Sequence, residues 1–155
     1  MNFWRPSEVI KVKALGLALH EGSLLASEIL NDAGEVKGVR PLGGTVEFGE
    51  AWQDALKREY REELDAEITL SGLPIVMENI YDHHGVTGHE IIFLSNISFV
   101  DNALYSQDKI LFSENDNTPC TARWFNLQKL SIGGPDLYPT GLLDKLLKYP
   151  NAAEK

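Results

Sequence analysis

The chain carries 155 residues, 43% hydrophobic and 24% charged, the composition of a soluble globular protein with one domain and its own core. Its formal net charge of −9 leaves no basic stripe for a nucleic-acid backbone, while a small phosphorylated ligand stays compatible wherever a metal ion bridges two anions. No run approaches the ~18 apolar residues of a membrane-crossing helix, and Cys120, the only cysteine, can make neither an intramolecular disulfide nor a cysteine-based zinc cage.

The opening MNFWRPSEVI has no basic segment followed by an apolar stretch, so no secretory signal is expected and a cytoplasmic location is. Val12–Leu19 is a nearly continuous apolar run and predicts a buried strand. His20–Ser23 turns the chain into a second strand, Leu24–Leu30. Asn31-Asp32-Ala33-Gly34 is a hairpin signal leading into Val36–Leu42. Gly43-Gly44 opens a loop in which Thr45–Phe48 can be extended, and a helix is expected from about Glu50 to Leu64. Strand-like stretches follow at Glu67–Leu73, Ile75–Tyr81 and His89–Val100. Asp101–Cys120 reads as a long polar loop, which in a compact domain points to function or disorder. Trp124-Phe125 marks a short strand, and Pro139–Leu147 a C-terminal helix with proline near its first turn. Strands outnumber helices and their connections are mixed. The expected class is therefore α/β, a mixed sheet sandwiched between helices, in a single domain over 1–155.

The helix holds the most informative residues. Wound at 3.6 residues per turn, it lines up Trp52, Ala55, Leu56, Tyr60 and Leu64 along one side. Glu59 and Glu63 then fall about 20° to either side of Trp52, and Glu62 about 80° away. Three carboxylates crowd onto or beside a stripe that should be apolar, where desolvation and mutual repulsion oppose their charged forms. A divalent cation compensates: hard oxygen ligands at i, i+3 and i+4 suit Mg²⁺ or Mn²⁺. The alternative is a solvated face with i,i+4 pairs, as in many Glu- and Lys-rich helices.

Read from Gly44 to Ala66, GTVEFGEAWQDALKREYREELDA resembles the Nudix box: Gly, five residues, Glu, seven residues, Arg-Glu, a bulky apolar residue, any residue, Glu-Glu, any residue, Gly and an apolar residue. Gly44, Glu50, Arg58, Glu59, Glu62 and Glu63 occupy their positions, Tyr60 and Ala66 fill the apolar ones, and Asp65 stands where the pattern has its second glycine. The resemblance implies the Nudix fold and hydrolysis of a nucleoside diphosphate linked to another moiety, with Mg²⁺ as cofactor and Mn²⁺ able to replace it. Nucleoside triphosphates and nucleotide sugars are the implied substrates. A homodimer is compatible with the chain, but nothing in the sequence indicates one.

The same resemblance implies residue roles. Glu59, Glu62 and Glu63 are the metal ligands, a carbonyl from the turn at Gly43 joins them, and one box glutamate can serve as general base. Arg58 pairs with Glu50 and holds a carboxylate in the rotamer that a metal requires. Gly44 and Glu47 support the site from the loop. Asp65 puts the helix end in doubt, at a cost of roughly 1 kcal/mol or less, because Asp tolerates the left-handed conformation better than most residues.

Outside the box, Asp82-His83-His84-Gly85-Val86-Thr87-Gly88-His89-Glu90 has three histidines but reads as a glycine-bracketed turn rather than a zinc site. By resemblance, Glu90 is a candidate for an additional acidic ligand or base. Phe3, Trp4, Trp124 and Tyr138 could stack on a base, although such aromatics are commonly core residues. A Nudix-fold module that binds a nucleotide without hydrolysing it is the alternative function, and the full set of box acids argues against it.

Overall fold

Small and large side chains alternate along the first strand, and that alternation sets the layers of the fold. The computed structural model describes residues 3–114 and 116–148. In β1 (Ile10–His20), Ala14 and Ala18 face one side with Gly16 between them, while Leu15 and Leu17 face the other. Helix α1 (Trp52–Leu64) packs on the small face, with Ala55, Leu56 and Tyr60 at most 1% exposed. Gly16 is what admits the helix this closely, since a Cβ there would collide with the Tyr60 ring and hydroxyl. That hydroxyl donates to the Leu42 carbonyl at 3.2 Å. On the opposite face α2 (Leu127–Ser131) and α3 (Leu142–Lys148) bury Leu130, Leu142 and Leu146 against Leu15 and Leu17. Each leucine so buried contributes about 1.5–3 kcal/mol.

Among the described residues, seven further strands complete one mixed sheet: β2 (Ser23–Leu30), β3 (Val36–Pro41), β4 (Gly43–Thr45), β5 (Ile68–His83), β6 (Val86–Phe99), β7 (Lys109–Ser113) and β8 (Pro119–Asn126). The order is β5-β6-β1-β2-β8-β7, with β3 on β2 and β4 on β1. β6 runs parallel to β1 from Ile10–His89 to Ala18–Ile97. Along its other edge β1 changes partner. Leu19 and His20 pair with β2, whereas Lys13–Leu15 pair with β4, which takes the edge that β2 has left. This places the Gly43-Gly44 turn beneath α1. Helices on both faces of a mixed sheet make the α/β sandwich expected from the sequence.

Several boundaries differ from those expected. The two strands read at Glu67–Leu73 and Ile75–Tyr81 are one strand, β5, with a register shift between Ser71 and Ile75. Asp101–Cys120 is not a structureless loop: it holds a 3-10 turn at Asn102–Ser106, the strand β7 and the first residues of β8. In β7, Ile110 is buried while Lys109 and Leu111 are exposed, an alternation that the surrounding turn residues masked in the sequence. α1 begins at Trp52 rather than Glu50, α3 begins at Leu142 rather than Pro139, and α2 was not expected. α2 is a five-residue helix capped by the Asn126 side chain, which accepts from the Lys129 N–H. No helix among the described residues is long and apolar enough to cross a membrane.

Candidate active site

Because α1 starts two residues after Glu50, that carboxylate stays in the preceding turn and faces the helix. Glu50 Oε1 accepts from the Glu47 N–H at 3.1 Å, so Glu47 contributes its backbone while its side chain is exposed. Arg58, two turns into the helix, grips Glu50 with both prongs: Nε to Oε2 at 2.8 Å and Nη2 to Oε1 at 2.9 Å. The remaining donors reach Glu59 Oε1 at 2.8 Å, Glu62 Oε2 at 3.4 Å and the Thr45 carbonyl at 3.1 Å. The guanidinium first, and then the Glu47 N–H, pull the Glu50 carboxyl down to about 2. Arg58 itself is shifted upward, chiefly by Glu50 and then, against the cost of burial, by Glu59.

Glu59 is only 6% exposed and lies against the turn, where a Cβ on Gly44 would run into its carboxylate. Gly43 passes equally close to the Ala14 carbonyl. Glu63 is hydrogen-bonded to Glu59. Burial first, then that bond and the charge on Glu59, push the Glu63 carboxyl up to about 9. Glu62 is exposed and turned toward Arg58. The structure thus brings Glu59 and Glu63 together, with Glu62 turned toward Arg58 beside them. Such a pair lacks a positive charge of its own, since Arg58 is already spent on Glu50 and one oxygen of Glu59. A hard dication that keeps much of its water fits two carboxylates and a close backbone turn. At the helix end Asp65 adopts φ 50° and ψ 41°, and Asp65 and Ala66 donate to the Arg61 and Tyr60 carbonyls.

Glu90 sits elsewhere, on β6 opposite Asn79 of β5, and is 4% exposed. Both its oxygens are engaged: Arg40 Nη2 donates to Oε1 at 2.9 Å and Nη1 lies 3.5 Å from Oε2, while Asn79 Nδ2 donates to Oε1 at 3.3 Å. Arg40 and Asn79 line a cavity of about 290 Å³, walled also by Phe3, Trp4, Tyr81 and Tyr138. Three of the four aromatics singled out in the sequence meet here. The fourth, Trp124, instead stacks on Tyr105 at 5.7 Å and donates to the Leu104 carbonyl at 3.1 Å.

Asp32 and His83, which also line the cavity, and neighbouring His84 bring ligand atoms within 4.8 Å of one another. Asp32 is already held by Arg5, Nη2 to Oδ2 at 2.6 Å and Nη1 to Oδ1 at 3.1 Å. His84 Nε2 accepts from the Asp32 N–H at 3.2 Å, and His83 Nδ1 lies 3.0 Å from Lys37 Nζ. Burial first, then Lys37, lowers the His83 pKa. These groups tie the N-terminal segment to two hairpin turns. Cys120 is hydrogen-bonded to Glu114, and burial pushes its thiol up to about 12, so it stays protonated at neutral pH.

Sequence reading passed over Lys13 and Arg40. Lys13, on β1, donates from Nζ to Thr45 Oγ1 at 2.8 Å. The available signal was Lys13 inside an otherwise apolar run; Arg40 shares its short strand with Lys37 and carried no such signal.

No family model and no curated protein matches the sequence. Solved structures do. A NUDIX hydrolase from Nitrosomonas europaea is 17% identical over 97% of this chain and 92% of its own, with a TM-score of 0.61. A MutT protein from Methanosarcina mazei Go1 is 14% identical over 99% and 100%, with a TM-score of 0.60. A UDP-X diphosphatase is 15% identical over 100% and 67%, with a TM-score of 0.57. At these identities the likeness is one of architecture, and it agrees with the helix-and-loop arrangement built up above: the chain has the Nudix fold.

Proposed function

We propose that this chain is a hydrolase of phosphoric anhydrides, acting on a nucleoside diphosphate linked to another moiety, with nucleoside triphosphates and nucleotide sugars as the substrate classes. The observation that carries this reading is the arrangement around Arg58. One guanidinium locks Glu50, orients Glu59 and reaches Glu62, leaving the Glu59–Glu63 pair in want of a cation. Glu59 and Glu63 would hold Mg²⁺, or Mn²⁺ in its place, with a carbonyl from Gly43. When bound, such an ion polarises phosphoryl oxygens and acidifies a water molecule.

The residues divide the remaining work. Arg58 keeps the ligand carboxylates in one rotamer, and Gly44 lets the backbone approach Glu59. Glu62, exposed and 3.4 Å from Arg58, would take a proton from water. As the water oxygen attacks phosphorus, the anhydride P–O bond breaks, the phosphorylated group leaves, and the proton passes through Glu62 to solvent. Glu90, with both oxygens engaged by Arg40 and Asn79, serves in this reading to hold Arg40.

A panel of nucleoside triphosphates and nucleotide sugars, assayed with Mg²⁺ or Mn²⁺ for phosphate release after phosphatase coupling, tests the proposal. Metal-dependent release is expected, and Glu63→Gln should lower turnover by at least ~100-fold with an unchanged fold. Binding of panel members without release by the parent protein would instead establish a nucleotide-sensing module.

A further inference from the structure

The cavity and the box carboxylates lie on different elements, and a cation adjoins each: Arg40 on the cavity wall, Lys13 beside the turn that packs against Glu59. Lys13 is half-buried on β1, cross-strand from Thr45 and bonded to its hydroxyl, one residue from the Gly44 that packs on Glu59. Arg40, on β3, forms part of the cavity wall. Arg40 and Glu90 are both charged neighbours of Lys13, and so is Glu59.

Charge and hydrogen bonding there are out of balance in the same direction. Glu90 pairs with Arg40, whereas the hydrogen bond of Lys13 goes to the neutral Thr45 hydroxyl, with Lys11 as a further cationic neighbour. Half-burying a lysine beside an arginine is costly, as the lowered Lys13 pKa reflects, with burial as its main cause and Arg40 next. Arg40 Nε is also a buried donor with no partner, and is the one such side-chain atom among the described residues. An anion beside these two groups would offset the charge and give the guanidinium a full set of acceptors after a small rotation.

We propose that Lys13 and Arg40 form a cationic track for the substrate's diphosphate, leading from the aromatic cavity to the box carboxylates, with Glu90 and Asn79 as positioning residues that hold Arg40. The assignment rests on the function proposed above for the identity of the anion, but its chemistry is simply that of a diphosphate. The cavity's aromatic walls take the group attached to one end, and the carboxylate pair takes the other.

Inorganic pyrophosphate is the probe, titrated calorimetrically into the full chain with EDTA present, so that neither metal binding nor turnover enters. The parent protein should bind it, more weakly as salt rises. Lys13→Gln keeps a donor for Thr45 but removes the charge, and should weaken binding at least tenfold, as loss of a charge-assisted contact does. Arg40→Gln should do the same. Arg40→Lys, which keeps the charge and avoids stranding Glu90, should retain most of the affinity and guards against an Arg40→Gln variant that fails to fold. In the Glu59→Gln, Glu63→Gln double variant, pyrophosphate should bind at least as tightly, because anions are removed. No binding by the parent protein overturns the assignment, and so does binding by Lys13→Gln within twofold of it. Pyrophosphate binding without hydrolysis of any panel nucleotide would sink the hydrolase reading and leave the track standing.

Discussion

If Glu63 holds a proton beside Glu59, a metal ion bound by the two carboxylates must displace it. With its carboxyl pushed up to about 9, Glu63 is protonated in nearly every molecule at neutral pH. Binding at pH 7 should therefore release about one proton per ion, and the apparent affinity should rise roughly tenfold per pH unit between about 5 and 9. The stability of the metal-free protein follows from the same shift. The folded-state pKa lies above the unfolded value of 4.5, so the folded protein holds the extra proton. That contribution is complete below 4.5 and is lost as pH rises toward 9. One proton sets an upper limit of about 1.4 kcal/mol per pH unit on this slope, and screening at the part-exposed Glu63 lowers it. Calorimetric titration of Mn²⁺ at pH 7 in several buffers of different ionisation enthalpy measures the released protons as a slope. A slope near one is expected for the parent protein, falling toward zero in Glu63→Gln. A slope near zero in the parent protein would show that the pair does not hold a proton, or does not hold the ion, and the reasoning would fail.

Two substitutions probe the residues that organise the site. Arg58→Lys keeps the charge but cannot grip Glu50 with two prongs while also reaching Glu59, so the metal concentration for half-maximal activity should rise 10- to 100-fold. Activity titrated against Mg²⁺ checks this, and an unchanged midpoint would reduce Arg58 to a surface contact. Glu90→Gln should raise KM about tenfold with kcat within a few-fold, because it loosens Arg40 without touching the carboxylate pair. A fall in kcat of ~100-fold at unchanged KM would make Glu90 the proton acceptor, and a parallel fall in metal affinity would make it a ligand.

What could be read from the sequence and what could not divide along one physical line, the separation in the chain between partners. Arg58 reaches Glu50 eight positions away, Glu59 next door and Glu62 one turn on, and these separations are carried by one turn and one helix. Helical periodicity therefore suffices to show carboxylates where an apolar stripe should run. Asp65 is the same kind of case, a local backbone requirement met by a residue other than glycine. Lys13 and Thr45, by contrast, are 32 residues apart, and Arg40 and Glu90 are 50 apart. They meet because β4 takes over the edge of β1 that β2 leaves, and because β6 lies parallel along the other edge. Nothing in an apolar strand run announces which distant strand will lie beside it. The missed β7 has the same origin, since its single buried isoleucine acquires meaning only against β8.

That division has a consequence for how such a protein changes. The carboxylate pair depends on a short continuous segment whose parts constrain one another: Gly44 must lack a Cβ because Glu59 is there, and Glu59 is fixed because Arg58 also holds Glu50. The cavity draws its walls from the N-terminal segment, β2 and β3, β5 and the stretch before α3. Among the described residues, none that line the cavity hydrogen-bonds to Arg58, so a wall can be replaced without moving the carboxylates. Substitutions at Trp4, Tyr81 or Tyr138 should therefore change substrate preference, whereas substitutions within the Arg58 network should weaken activity on all substrates alike. If Lys13 and Arg40 carry the diphosphate, as proposed above, substitutions there should weaken binding of every candidate substrate alike.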